Sequence, residues 1–151
     1  GGYGFYVLKG KPVFTWNLVD MKRVKWEGSE VLTPGKHTLE FDFKYDGLGM
    51  GTLAYNNLSG IGRGGTGVLK VDGNVVAEQK MERTLPLILQ WDEALDIGSD
   101  TLTGVNDQDY LPPFAFNGKL NRITLSIDRP KLTPADEKKL LAAQRNNKAS
   151  E

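Results

Sequence analysis

Along most of the chain, apolar and polar residues alternate one for one. Leu39, Phe41, Phe43 and Tyr45 alternate with Thr38, Glu40, Asp42 and Lys44. Successive side chains of a strand point to opposite faces, so this pattern puts one face in a core and the other in water. Phe14, Trp16 and Leu18 share a face in the same way. So do Val24 and Trp26 in Arg23–Glu27, and Ile123, Leu125 and Ile127 in Lys119–Arg129. Turn residues punctuate the runs. Lys9-Gly10-Lys11 and Asp72-Gly73 are hairpin signals, and Pro34-Gly35 makes a turn ahead of the Leu39 run. "PLILQW", Pro86–Trp91, reads as a further strand. Short strands at this spacing predict an all-β fold, an antiparallel two-sheet β-sandwich of jelly-roll type over residues 1–130.

The tail breaks the alternation. Residues 131–151 read as a C-terminal helix and its end. Thr133 is placed to cap it, Pro134 suits its first position, and Asp136 and Glu137 favour its positive end. Leu140, Leu141 and Ala143 give it only a short apolar stripe, and the helix is expected to stop near Asn146-Asn147.

Composition narrows the function. The chain has 151 residues, 39% apolar and 25% charged, which suits one domain with one core. Nineteen basic and 19 acidic side chains cancel, so charge gives no reason to expect nucleic acid or an anionic membrane as partner. There is no cysteine, which removes disulfides, thiolate metal sites and a cysteine nucleophile together. The chain begins Gly1-Gly2 with no recognisable leader, and we expect it to be a piece of something longer.

"GIGRGG", Gly60–Gly65, fits the dinucleotide fingerprint by letter. That fingerprint requires a helix immediately afterwards, whose N-terminal amides hold the pyrophosphate. Here a hairpin follows, so the nucleotide reading fails. What remains is a long glycine-rich connection from Gly47 to Gly67. Connections of that length are often functional. Arg63, with Tyr55, Asn56 and Asn57, is the candidate contact for substrate or another domain, since an arginine fork suits sulfate or carboxylate.

No lysine or arginine occurs between Arg83 and Lys119, while Asp92, Glu93, Asp96, Asp100, Asp107 and Asp109 do. The spacing is not that of an EF-hand. Two readings stand: a solvated loop whose aspartates cap turns, or a Ca²⁺ site built from Asp96, Asp100, Asp107 and Asp109 with loop carbonyls. His37, the only histidine, follows a Pro-Gly turn and reads as an edge residue rather than a catalyst. Trp16 and Trp26 fall on apolar faces, which favours core packing over a sugar-stacking platform. Carboxylates are plentiful, but nothing in the sequence sets a pair at glycosidase separation.

Several glycine-anchored segments carry a resemblance. "GGYGFYVLKGKPVFTWNLV", "LTPGKHTLEFDFKYDG", "GRGGTGVLKVDGNVVAEQKMERTLPLILQWDEALDIGSDTLTGV" and "PPFAFNGKLNRITLSID" resemble, in order, the C-terminal accessory domain of large bacterial arylsulfatases. The resemblance covers nearly the whole chain and implies a concanavalin-like or laminin-G-like sandwich. It also implies that the chemistry lies elsewhere. Sulfatases carry a formylglycine, made in a C/S-x-P-x-R motif, together with their Ca²⁺ and sulfate ligands, in a separate α/β domain. No serine here begins such a motif, so no catalytic residue is carried over. The expected partner is a catalytic domain of the same polypeptide, on which this chain would pack, line the substrate cleft or mediate oligomerisation. The parent would be periplasmic or extracellular. The alternative is a carbohydrate-binding module that tethers the enzyme to a sulfated polysaccharide.

Overall fold

A computed structural model describes residues 2–47, 62–84, 95–128 and 132–148. The predicted strand at Pro86–Trp91 and most of the Gly47–Gly67 connection, with Tyr55, Asn56 and Asn57, lie outside the described residues.

The described residues are built from antiparallel sheets with one helix. β1 (Gly2–Leu8), β2 (Lys11–Leu18) and β3 (Lys22–Glu27) form one three-stranded sheet in that order. β4 (Leu39–Tyr45), β5 (Gly65–Val71) and β6 (Asn74–Met81) form a second, also in chain order. Both predicted hairpins are present. Lys9 and Gly10 have φ of 50° and 82°, and Asp72 and Gly73 have 51° and 83°. Two consecutive left-handed residues give the tight turn whose twist matches that of the flanking strands. A bulge between Leu69 and Lys70 shifts the β5–β6 register next to the second turn.

Pairing fixes which residues meet. Phe14 lies between Phe5 and Trp26, and Trp16 between Tyr3 and Val24. These side chains share the face of the first sheet that meets the second. There Trp26, Leu69 and Met81 form the core, and Phe14, Trp16, Val24, Phe41, Val76 and Ala77 pack around them. The rings of Phe14 and Phe41 stack at 3.5 Å between the sheets. Both tryptophans thus serve packing: Trp26 is buried and Trp16 half-buried.

The core also explains the glycines of β5. A Cβ on Gly67 would sit 2.5 Å from Cζ2 of Trp26. Only a bare backbone lets the indole lie across the strand and donate its N–H to the Gly67 carbonyl at 2.9 Å. Gly64 is buried against the Met81 and Glu82 carbonyls, and Gly65 against the Phe43 ring and the Lys44 carbonyl. β5 therefore begins at Gly65, earlier than the branched residues suggest, because the glycines belong to the strand.

The opposite face of the first sheet is covered by the segment around residues 99–116. β7 (Ser99–Asp100) and β8 (Phe114–Ala115) pair as a short antiparallel ribbon within it. The helix α1 spans Pro134–Lys148. The Thr133 hydroxyl accepts from the Asp136 amide, and the Asp136 carboxylate accepts from the Thr133 amide. Thr133 is the cap the sequence suggested, and the bond back from Thr133 N–H to Asp136 makes it reciprocal.

One expectation fails. Lys119–Arg129 reads as a strand, yet residues 119–128 form none. Ile123, Leu125 and Ile127 are exposed, Ile127 at 92%. Alternation supplies a face, but a strand also needs a neighbour for its amides and carbonyls, and no described strand pairs with this one.

Candidate functional site

The acidic segment is pinned to the first sheet by a half-buried polar network. β1 and β2 point Tyr6, Thr15 and Asn17 toward it, and β3 points Arg23 and Lys25. Asp109, whose side chain is 10% exposed, is the hub. One of its oxygens accepts from the Tyr6 hydroxyl at 2.5 Å and from Asn106 Nδ2 at 3.1 Å. The other accepts from Lys25 Nζ at 2.9 Å. Tyr6 spends its single proton on Asp109, so the Thr15 hydroxyl, 3.0 Å away, must donate to the Tyr6 oxygen. Tyr110 donates to Asp100 at 2.6 Å and accepts from the Val105 amide at 3.2 Å. Asn17 Nδ2 donates to the Val105 carbonyl at 2.7 Å.

Four groups of the network are shifted from their ordinary values. Burial pushes the Asp109 carboxyl up, but the bonds from Tyr6 and Lys25 more than offset it, and the group lies below its usual range. Burial, then the bonded carboxylates, raise the Tyr6 and Tyr110 phenols well above their ordinary values. Burial lowers the Lys25 ammonium, and Glu27 and Asp109 outweigh it to raise the group overall. Aromatic contacts close the assembly: Tyr6 meets Tyr110 edge-on at 5.1 Å, and Tyr110 stacks on Phe114 at 4.3 Å.

The four aspartates singled out by sequence are therefore spent separately. Asp109 ties the segment to β1 and β3, and Asp100 ties it to Tyr110. Asp107 pairs with Arg23 at 2.8 Å, and Asp96 caps the Thr101 amide and hydroxyl at 3.0 and 2.9 Å. Among the described residues, no three of His, Cys, Asp and Glu form a group that would hold a metal ion. The geometry gives these carboxylates protein donors as partners.

Of the other candidates, Arg63 and His37 lie apart from this network. Arg63 is exposed at the entrance to β5, where its carbonyl accepts from the Thr84 amide and hydroxyl at 2.9 and 2.8 Å. A shallow groove of about 320 Å³ between β3 and β6 is lined by Lys22, Arg23, Lys25 and Lys80, among others. Its cations are paired, Lys22 with Glu82 at 2.9 Å and Lys80 with Asp46 at 3.5 Å. It is a salt-bridged seam rather than an open anion site. His37 sits at the edge of the second sheet, as expected, but its ring is doubly used. Nδ1 lies 2.7 Å from the Asp72 carboxylate and Nε2 2.7 Å from the Thr33 carbonyl. Two acceptors require two donors, so the ring is the imidazolium. The Asp72 bond, then the Thr33 carbonyl, raise its pKa.

Pinned from behind, the segment presents apolar side chains outward. Leu102 is 71% exposed and Leu111 74% exposed, and Leu95, Ile97 and Phe116 are also open. The Ser99–Ala115 and Asp100–Phe114 pairs, with the Phe116 amide donating to the Gly98 carbonyl, hold both arms of this segment together. Sequence reasoning saw the aspartates and missed these residues; the signal was the mixture of large apolar side chains with acidic groups across residues 95–116.

Compared with known protein families, with characterised proteins and with solved structures, the chain shows no match.

Proposed function

We propose that this chain is a non-catalytic β-sandwich domain of an arylsulfatase-like sulfate-ester hydrolase, docking through residues 95–116 on the catalytic domain of the same polypeptide. One observation carries the docking role: large apolar side chains exposed on a segment that a half-buried polar network ties to the first sheet. Exposed apolar groups on a fixed support mark an interaction surface, because little ordering entropy is lost on binding. The order of the glycine-anchored segments supports the kind of parent. In this reading, sulfate-ester cleavage belongs to the formylglycine domain, and this chain shapes or steadies its cleft. The parent works in the periplasm or outside the cell. The alternative, a carbohydrate-binding module, would stack sugars on Trp16, Trp26, Trp91 and tyrosines; Trp26 is in the core, Trp16 is half-buried, and Trp91 lies outside the described residues.

The test uses the intact polypeptide. Residues upstream of Gly1 are expected to include C-x-P-x-R or S-x-P-x-R. The double variant Leu102→Lys/Leu111→Lys is expected to lower p-nitrophenyl sulfate hydrolysis about tenfold or more, or to lower the melting temperature. An upstream sequence without that motif overturns the sulfatase reading. A double variant unchanged in both rate and melting temperature overturns the docking surface.

A further inference from the structure

Asn117-Gly118 is the only asparagine–glycine pair in the chain. It follows β8 closely. Phe114 and Ala115 pair with β7, the Phe116 amide donates to the Gly98 carbonyl at 2.8 Å, and regular structure stops there. Asn117 and Gly118 are both exposed and lie outside any helix or strand. Among the described residues, none hydrogen-bonds the Asn117 carboxamide or the Gly118 amide. The glycine has a packing reason. A Cβ on Gly118 would sit 2.7 Å from Cζ of Phe116, so the ring lies against a bare α-carbon. That fit leaves the Gly118 nitrogen with no side chain to shield it and its backbone with the widest choice of conformation.

Other asparagines are held differently. Asn17 and Asn106 are each 4% exposed. Asn17 Nδ2 donates to Asp20 and to the Val105 carbonyl, while Asn106 Nδ2 donates to Asp109 and its Oδ1 accepts from the Gln108 amide. Asn74 lies in β6 before the branched Val75. Asn121 is exposed, but Arg122 follows it and crowds the next amide. Asp72 also precedes a glycine, yet its two oxygens are engaged by His37 and by the Thr38 amide.

We propose that Asn117-Gly118 is a site of spontaneous hydrolytic modification, at which the chain supplies the nucleophile and water the co-reactant. The Gly118 nitrogen loses its proton to solvent base and attacks Cγ of Asn117. The N–Cγ bond forms and the Cγ–Nδ2 bond breaks. Nδ2 takes up a proton and leaves as ammonia, closing a five-membered succinimide. Water then opens the ring at one of its two carbonyls. Opening at Cγ leaves aspartate; opening at the backbone carbonyl leaves isoaspartate, whose main chain runs through Cγ. No oxidant or reductant is needed. Either product adds a negative charge to a chain whose 19 basic and 19 acidic groups cancel. The new carboxylate stands next to Phe116, at the margin of the exposed apolar residues of 95–116.

The chain is kept at mildly alkaline pH with and without urea and sampled over days. Mass spectrometry with electron-transfer fragmentation reads the replacement of NH₂ by OH at each asparagine and separates isoaspartate from aspartate. In the folded chain, position 117 should convert at least about tenfold faster than positions 17, 74 and 106, and within about tenfold of its own rate in urea, because an exposed irregular segment needs no costly opening. Protein isoaspartate methyltransferase should then label the aged chain. Asn117→Gln should remove most of that label, since the longer side chain has to close a six-membered ring. No conversion at position 117 overturns the proposal. So does a folded rate more than about tenfold below the urea rate, or one no faster than at the buried asparagines. A label that persists in Asn117→Gln overturns it too. None of these outcomes depends on whether the parent is a sulfatase.

Discussion

Gly67 shows how one missing side chain shapes the core. The strand passes so close to Trp26 that a single methyl group has no space. Gly67→Ala is therefore expected to destabilise the fold by roughly 1–3 kcal/mol through overpacking, measured as a lower urea midpoint with Trp fluorescence as probe. The cause was not legible in the sequence, because the indole comes from a residue 41 positions away. His37 is the second case. Its folded pKa is raised above the ordinary 6.5 by Asp72 and the Thr33 carbonyl. Its contribution to stability is fully present below pH 6.5 and is lost as pH rises through the folded value. Thermal melts should decline across that window, and His37→Gln should flatten the decline. A parallel decline in the variant would remove His37 as the cause.

Elements divide by how local their cause is. The hairpins at Lys9-Gly10 and Asp72-Gly73 and the Thr133 cap were legible, because each depends on residues within a few positions of one another. The job of the acidic segment was not, because Tyr6 and Asp109 stand 103 positions apart. A list of aspartates does not say which donors face each of them; the fold does. Asp109→Asn keeps the shape but removes the charge that Lys25 and Tyr6 address. It should cost roughly 1–3 kcal/mol and speed amide exchange in residues 105–110 ahead of global unfolding. Because the Asp109 carboxyl lies below its usual range in the folded chain, its contribution is present above about pH 3.8 and lost as pH falls through the lowered value. The variant should lose part of the wild-type acid sensitivity there.

At the scale of the molecule, several exposed apolar side chains stand on one segment: Leu95, Ile97, Leu102, Leu111 and Phe116 lie within residues 95–116, which Tyr6, Asn17, Arg23 and Lys25 tie to the first sheet. The sandwich was legible because alternation and turn chemistry agree over most of the chain. Its outer surface was not, since a partner domain leaves no period in the sequence of the domain it covers. Amide exchange of residues 95–116, compared between the intact polypeptide and this chain alone, tests the docking role at its contact. Amides flanking Leu102 and Leu111 are expected to exchange at least about tenfold slower in the intact polypeptide. Equal rates in the two would contradict a surface made for docking.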